Sequence, residues 1–222
     1  MPESALNKTA SETSLRYVAL GDSLTIGHGA RPTESWPSRL VQALQSKGLA
    51  LTLVRNLAHS GYTSRQVLQE QVPELPALKP DFVSLLIGSN DMARGIEPAA
   101  FAKNFTAILD QTQQALSDPN QLLLLNLPDF AATPAALKYQ GHAHLAPYMQ
   151  QFNQIIESEA RTRNLAVVDL HQITRELGPD TSLYSWDGLH PSAKGYEVLE
   201  KFIRPVAVNL LRRGNTFTES AS

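Results

Sequence analysis

Four short polar stretches of this chain carry side chains that can move an acyl group. They are Gly21-Asp22-Ser23, His59-Ser60-Gly61, Gly88-Ser89-Asn90-Asp91 and Asp187-Gly188-Leu189-His190. Together they offer a hydroxyl, imidazoles, carboxylates, a carboxamide and glycine N–H groups. A serine hydroxyl is a poor nucleophile until a neighbouring base takes its proton. The tetrahedral intermediate it would form needs hydrogen-bond donors for its oxyanion. Taken singly, each stretch also has a structural reading. Gly21-Asp22-Ser23 fits a turn and helix cap, Asn90-Asp91 an Asx-turn, and Asp187-Gly188 a common turn pair. Their positions argue for a joint role, because each follows an apolar run that reads as a strand.

Those runs alternate with helical patterns. Strands are expected at 16–20, 51–57, 82–87, 121–127 and 166–170. Helices are expected at 33–47, 63–70, 98–117, 146–164 and 192–213, the short one stopping near Pro73 and Pro76 and the last bending at Pro205. "FVSLLI", from Phe82, is apolar enough to be covered on both faces. Strand–helix alternation implies a parallel sheet between helical layers, a three-layer α/β/α domain. Five strands make a flavodoxin-like order 2-1-3-4-5 the expectation, with the polar stretches on the carboxyl rim where such sheets bind ligands. One domain is expected over 15–213, with flexible tails at 1–14 and 214–222.

Composition narrows the function classes. The 222 residues carry a net charge of −2, so nothing favours nucleic acid as a partner. Cysteine is absent, which excludes thiolate chemistry, disulfides and thiol-ligated metals. No aliphatic run is long enough to span a bilayer. "MPESALNKTASETS" has no apolar signal core, so a cytoplasmic location is expected, although an exported protein after signal removal reads alike. His142 with His144, and Asp169 with His171, are metal-ligand types at short spacing, but no H-E-x-x-H accompanies them. No metal or organic cofactor is expected.

The blocks "ALGDSLTIG", "NLAHSGYTS", "LLIGSND" and "DGLHPS" occur in this order. In them the chain resembles the SGNH/GDSL hydrolases, serine esterases and lipases on a flavodoxin-like fold, over Tyr17 to about Phe202. The resemblance implies Ser23 as nucleophile, His190 as base and then acid, and Asp187 as the carboxylate orienting it. It implies an oxyanion hole from Ser23, Gly61 and Asn90. G-x-S-x-G, the nucleophile elbow of α/β-hydrolases, is absent. Candidate pocket residues are Asp22, Ser89, Asp91 and Leu189 beside those groups, with Phe130 and Tyr139 from the long segment after the fourth strand.

The resemblance leaves the substrate open. The family includes short-chain esterases, carbohydrate deacetylases, thioesterases and lysophospholipases. Aromatics are only 7% of the chain, which disfavours an extended sugar platform, so a small-molecule ester of a short or medium acyl chain is expected. A carbohydrate O-acetyl esterase, a thioesterase or lysophospholipase, and more remotely a non-catalytic binding protein on the same fold, are the alternatives. The oligomeric state is left open.

Overall fold

The computed structural model describes residues 14–138, 146–178 and 180–219. Strands β1 (Leu15–Gly21), β2 (Leu51–Asn56), β3 (Phe82–Leu86), β4 (Leu122–Leu125) and β5 (Ala166–Val168) form one parallel sheet. Its order is β2-β1-β3-β4-β5, the order expected from the sequence. The central strands β3 and β4 are buried along their whole length because helices cover both faces, and the one polar residue in them, Ser84, shares a hydrogen bond with Tyr17 Oη at 2.7 Å. Chain reversal of strand order at β1 and β3 opens the crevice into which their carboxyl ends point.

After β1 comes a single helical turn, α1 (Ser23–Ile26), then α2 (Trp36–Gln45). The helix expected from residue 33 is a 3-10 turn, Pro32–Glu34, followed by α2, because Ser35 between them has extended backbone. The helix expected to stop at the prolines instead keeps winding. It passes from α3 (Ser64–Gln66) through a π turn, Val67–Gln71, and a 3-10 turn, Val72–Glu74, into α4 (Leu75–Leu78). Pro73 and Pro76 each fall in the first turn of a new segment, where a missing N–H leaves no bond unmade.

Next come α5 (Ser89–Ala93), α6 (Pro98–Ala115), α7 (Pro134–Lys138) and α8 (Ala146–Arg163). Phe101 of α6 stacks on Phe105 and meets Phe152 of α8 at 4.5 Å between ring centroids, joining the two helices in one layer. The strand expected to reach residue 170 stops at Val168, since Asp169 caps a helix that the sequence reading did not identify, α9 (Leu170–Leu177). The last helix, α10 (Ala193–Glu219), packs with α2 in the opposite layer. It continues through Pro205, and it also runs past Gly214, where a tail was expected. A glycine inside a helix costs only about 1 kcal/mol and does not by itself end it. The other tail residues expected to be flexible, 1–13 and 220–222, lie outside the described residues.

One buried side chain closes the end of β1. Gly21 is the last residue of β1, in register with Leu86 of β3 but past the end of the ladder to β2, and it is buried. Gln71, 2% exposed, serves both of its groups: Gly21 N–H donates to Gln71 Oε1 at 2.9 Å and Gln71 Nε2 donates to Gly21 O at 2.8 Å. Gln71→Leu leaves the buried Gly21 N–H unpaired and Gly21 O with only the 3.3 Å bond from His59 N–H, beneath the turn that carries Ser23. We expect a loss of about 2 kcal/mol in urea-unfolding free energy.

Candidate active site

The site starts where β1 ends. Gly21 has φ +151°, and a Cβ there would lie 2.5 Å from Leu86 O of β3, so only glycine lets the chain turn this close to its neighbour. Asp22 then caps α1, accepting from Leu24 N–H at 3.1 Å. Ser23 is the first helical residue and presents its hydroxyl at the sheet's rim.

The facing groups come from the loop before α10. Ser185 N–H donates to His190 O at 2.8 Å, and Tyr184 bridges to Pro191, closing a tight turn. Inside it, Asp187 Oδ1 accepts from Ser185 Oγ at 2.8 Å, Leu189 N–H at 2.9 Å and His190 N–H at 3.0 Å. Its other oxygen, Oδ2, lies 2.6 Å from His190 Nδ1. Burial would raise the Asp187 pKa, but the bonds from the His190 ring, the two N–H groups and Ser185 outweigh it and hold the carboxyl well below its ordinary value. An ionised carboxylate only accepts, so Nδ1 carries the proton and Nε2 of the neutral ring has a free lone pair. That lone pair faces Ser23 Oγ at 2.9 Å. The hydroxyl, imidazole and carboxylate therefore form one continuous relay.

Gly61 and Asn90 lie on the same rim. Gly61 has φ +84°, and a Cβ would meet nothing nearer than Arg94 Nη2 at 3.6 Å. Conformation, rather than crowding by the protein, makes glycine necessary there. Arg94 Nη2 donates to Gly61 O at 2.7 Å and fixes the loop. Asn90 Nδ2 donates to Tyr62 O at 3.0 Å and to Asp22 Oδ2 at 3.2 Å. Both amide hydrogens thus hold the carboxamide in place.

These groups border a cavity of about 290 Å³ lined by Ser23, His28, Ser60, Gly61, Asn90 and His190 on its polar side. Leu24, Met92, Ala93, Phe130 and Leu189 supply its apolar surface, and Ser89 also borders it. Of the pocket residues expected from sequence, Ser89, Phe130 and Leu189 are on this wall, and Tyr139 lies outside the described residues. Asp22 and Asp91 are not on the wall. Both are fully buried beneath it, Asp22 holding Leu24 and Asn90, and Asp91 accepting from Ser64 N–H at 2.8 Å and Ser64 Oγ at 2.5 Å. Their carboxyls serve the loops, a role that their places beside Ser23 and Asn90 also suggest. Leu24, Ser60, Met92 and Ala93 were not foreseen as wall residues, whereas His28 was read as lying near the site. Their signal was adjacency: Leu24 follows Ser23, Ser60 precedes Gly61, and Met92 and Ala93 follow the Asn90 block on α5.

His28 packs its ring on His190 with centroids 4.4 Å apart. Among the described residues, His28, Asp187 and His190 are a cluster whose possible ligand atoms lie within 4.8 Å of one another. A cation bound there would have to part Asp187 from His190. Asp169 is instead a helix cap, accepting from Gln172 N–H and Asn126 Nδ2; His142 and His144 lie outside the described residues.

A relay of this kind at the carboxyl rim of a doubly wound sheet defines a serine-type hydrolase. Residues 19–198 match the GDSL-like lipase/acylhydrolase family. The chain belongs to that family and is a carboxylic ester hydrolase. It is 28% identical over 141 residues to an arylesterase of Vibrio mimicus, covering 64% of this chain and 70% of that one. It is 26% identical over 216 residues to an acetylxylan esterase of Geobacillus stearothermophilus, covering 89% of this chain and 96% of that one. The crystal structure of TesA shares the fold, with a TM-score of 0.70 and 23% identity over 88% of this chain and 99% of its own. Among the described residues no helix is long and apolar enough to cross a membrane.

Burial pushes the Asp22 carboxyl up to about 7, and the nearby Asp91 charge adds to the rise, against the lowering bonds from Leu24 N–H and Asn90. The folded state therefore binds this proton more tightly than the unfolded chain, whose aspartate titrates near about 3.9. Asp22 favours folding most below about pH 4, and that contribution is lost as pH rises through about 7, to a total of about 4 kcal/mol. Asn at this position does not titrate. Unfolding free energies of wild type and Asp22→Asn should accordingly diverge in the variant's favour between pH 4.5 and 8. A constant difference would mean that Asp22 titrates normally.

Proposed function

We propose that the protein hydrolyses esters of short- to medium-chain aliphatic acids through an acyl-enzyme on Ser23. The observation that carries this reading is the relay of 2.9 Å and 2.6 Å from Ser23 through His190 to Asp187, opening on a cavity with an aliphatic side. In the first half-reaction Ser23 Oγ attacks the ester carbonyl while His190 Nε2 takes its proton. The imidazolium is stabilised by the Asp187 carboxylate against its Nδ1–H. The former carbonyl oxygen, now negative, takes donors from Ser23 N–H, Gly61 N–H and the Asn90 amide. Collapse expels the alcohol, which leaves with the proton from His190 Nε2. Water then attacks the acyl group with the same imidazole as base, and the acid departs as Ser23 recovers its proton.

A second reading, deacetylation of carbohydrate, draws support from the acetylxylan esterase that this chain matches over 96% of that protein's length. It would use the same reacting groups. Leu24, Met92, Phe130 and Leu189 favour the aliphatic acyl group, since they offer burial to methylenes and no polar partners to a sugar.

Hydrolysis of p-nitrophenyl esters beside acetylated xylo-oligosaccharides separates the two. We expect the aryl esters to turn over with a preference for chains longer than acetate, and Ser23→Ala to lower kcat by about 10⁴-fold or more. Activity surviving in folded Ser23→Ala would overturn the nucleophile assignment. Preference for acetylated sugar would favour the second reading. For Asn90→Ala we expect kcat to fall about 10²-fold with little change in KM, because an oxyanion donor binds most strongly in the transition state. Equal kcat in that variant and wild type removes Asn90 from the oxyanion hole.

A further inference from the structure

A second cavity lies directly behind the apolar wall of the first. It measures about 40 Å³, and Trp36, Leu86, Leu170 and Leu199 line its inner side. Leu24, Phe130 and Leu189 line both cavities, so a single layer of side chains separates them. The threonine hydroxyls around it are occupied elsewhere. Thr174 Oγ1 accepts from Asp129 N–H and donates to Leu170 O; Thr133 Oγ1 donates to Phe130 O and accepts from Ala136 N–H. Trp36 Nε1 is a buried donor without a partner. One indole N–H among apolar walls gives a water fewer than the about two to four partners it needs, so an alkyl terminus suits the space better. Close-packed interiors retain few voids of this size, because an unfilled one costs stability. This one adjoins the cavity that holds the reactive hydroxyl.

The dividing layer is uneven in how firmly it is held. Leu24 is buried on α1, 5% exposed. Leu189 is partly buried, with its backbone N–H bonded to Asp187. Phe130 is also partly buried, and it opens a 3-10 turn, Phe130–Ala132, whose cap is Asp129. Phe130 and Leu189 are therefore the two less enclosed side chains of the layer.

We propose that the distal end of the acyl chain passes between Phe130 and Leu189 into this inner cavity, and that the cavity sets the longest chain hydrolysed efficiently. The proposal rests on the ester-hydrolase reading above, with Ser23 as the acylated residue. At roughly 10–15 Å³ for each water-sized group, the inner space takes about three terminal carbons. Each methylene moved from water into it favours acylation about fourfold. With the first carbons held in the outer cavity, the preferred acids are hexanoic to octanoic.

The test is the series of kcat/KM values for p-nitrophenyl acetate, butyrate, hexanoate, octanoate and decanoate. Wild type, Phe130→Ala and Leu199→Phe are compared, each with folding checked by near-ultraviolet circular dichroism. Leu199→Phe fills the cavity from its inner side, and the octanoate-to-butyrate ratio should fall about tenfold or more. Phe130→Ala widens the passage, and the decanoate-to-butyrate ratio should rise. An unchanged octanoate-to-butyrate ratio in folded Leu199→Phe overturns the inner-cavity proposal, while Ser23-dependent hydrolysis of acetate keeps the function intact. Hydrolysis that ignores Ser23→Ala on every chain overturns the function instead. Should Leu199→Phe not fold, a crystal structure of wild type inactivated by p-nitrophenyl octylphosphonate decides the matter. An alkyl terminus between Leu170 and Leu199 supports the proposal, and one lying along the outer wall past Met92 overturns it.

Discussion

The contact on which this architecture depends is the 2.9 Å approach of His190 Nε2 to Ser23 Oγ, across 167 positions of sequence. Neither residue can be placed by its own neighbours alone. Ser23 stands at the end of β1, whose position is fixed by ladders to β2 and β3 on either side. His190 stands in a turn just before α10, and α10 is packed beside α2 in the layer that covers the sheet. The two local structures are rigid for different reasons. Around Ser23, Gly21 turns against Leu86 O and Gln71 closes its backbone groups. Around His190, one aspartate oxygen accepts two backbone N–H groups and a hydroxyl while the other orients the ring. Asp187 is thus both the frame of its own turn and the partner of the imidazole, and a three-residue spacing is what lets one carboxylate reach both.

Below the rim lies a second tier of polar groups that does not open on the cavity. Asp91 ties α5 to α3 through both the N–H and the hydroxyl of Ser64, and Asn104 adds a bond to the same hydroxyl at 3.2 Å. Asp22 ties α1 to Asn90. Burial raises the pKa of both carboxyls, since neither faces a cation close enough to offset lost hydration. Charged or neutral, they hold loops. The buried carboxyls thus position segments that border the cavity without touching it themselves.

Much of this arrangement is legible in the sequence, and the parts that are not have physical causes. The five strands and the four polar loops follow from apolar runs ending in glycine and small polar residues, because burial on both faces and sharp turning each demand particular residue types. The strand order came from the usual doubly wound arrangement of five strands, since no single run records its neighbours. Helix limits were less legible. Pro73 and Pro76 read as terminators, but a proline in the first turn of each successive segment breaks nothing. Asp169 was read as part of a fifth strand reaching residue 170 when it was the cap of α9. Asp22 and Asp91 were placed on the wall because they flank Ser23 and Asn90. In a helical turn, though, adjacent residues point in different directions, so neighbours of exposed groups are buried. Pocket walls are assembled from distant segments, and only the structure sets Phe130 beside Leu24 and Met92.

The state of Asn90 bears on how an oxyanion would be met. In the ligand-free arrangement its two amide hydrogens are directed at Tyr62 O and Asp22 Oδ2. The Asp22 contact is the longer of the two at 3.2 Å, which leaves that hydrogen the easier to share. Its acceptor strength depends on charge, because an ionised carboxylate accepts about twice as strongly as a neutral group. Burial, by pushing the Asp22 carboxyl up to about 7, keeps part of the population neutral where a normal aspartate would be fully charged. A developing oxyanion would, in the mechanism proposed above, compete with a weakened partner for that hydrogen. On the proposed mechanism the same desolvation that costs stability makes the carboxamide both fixed and available, which is what a donor that must strengthen in the transition state requires.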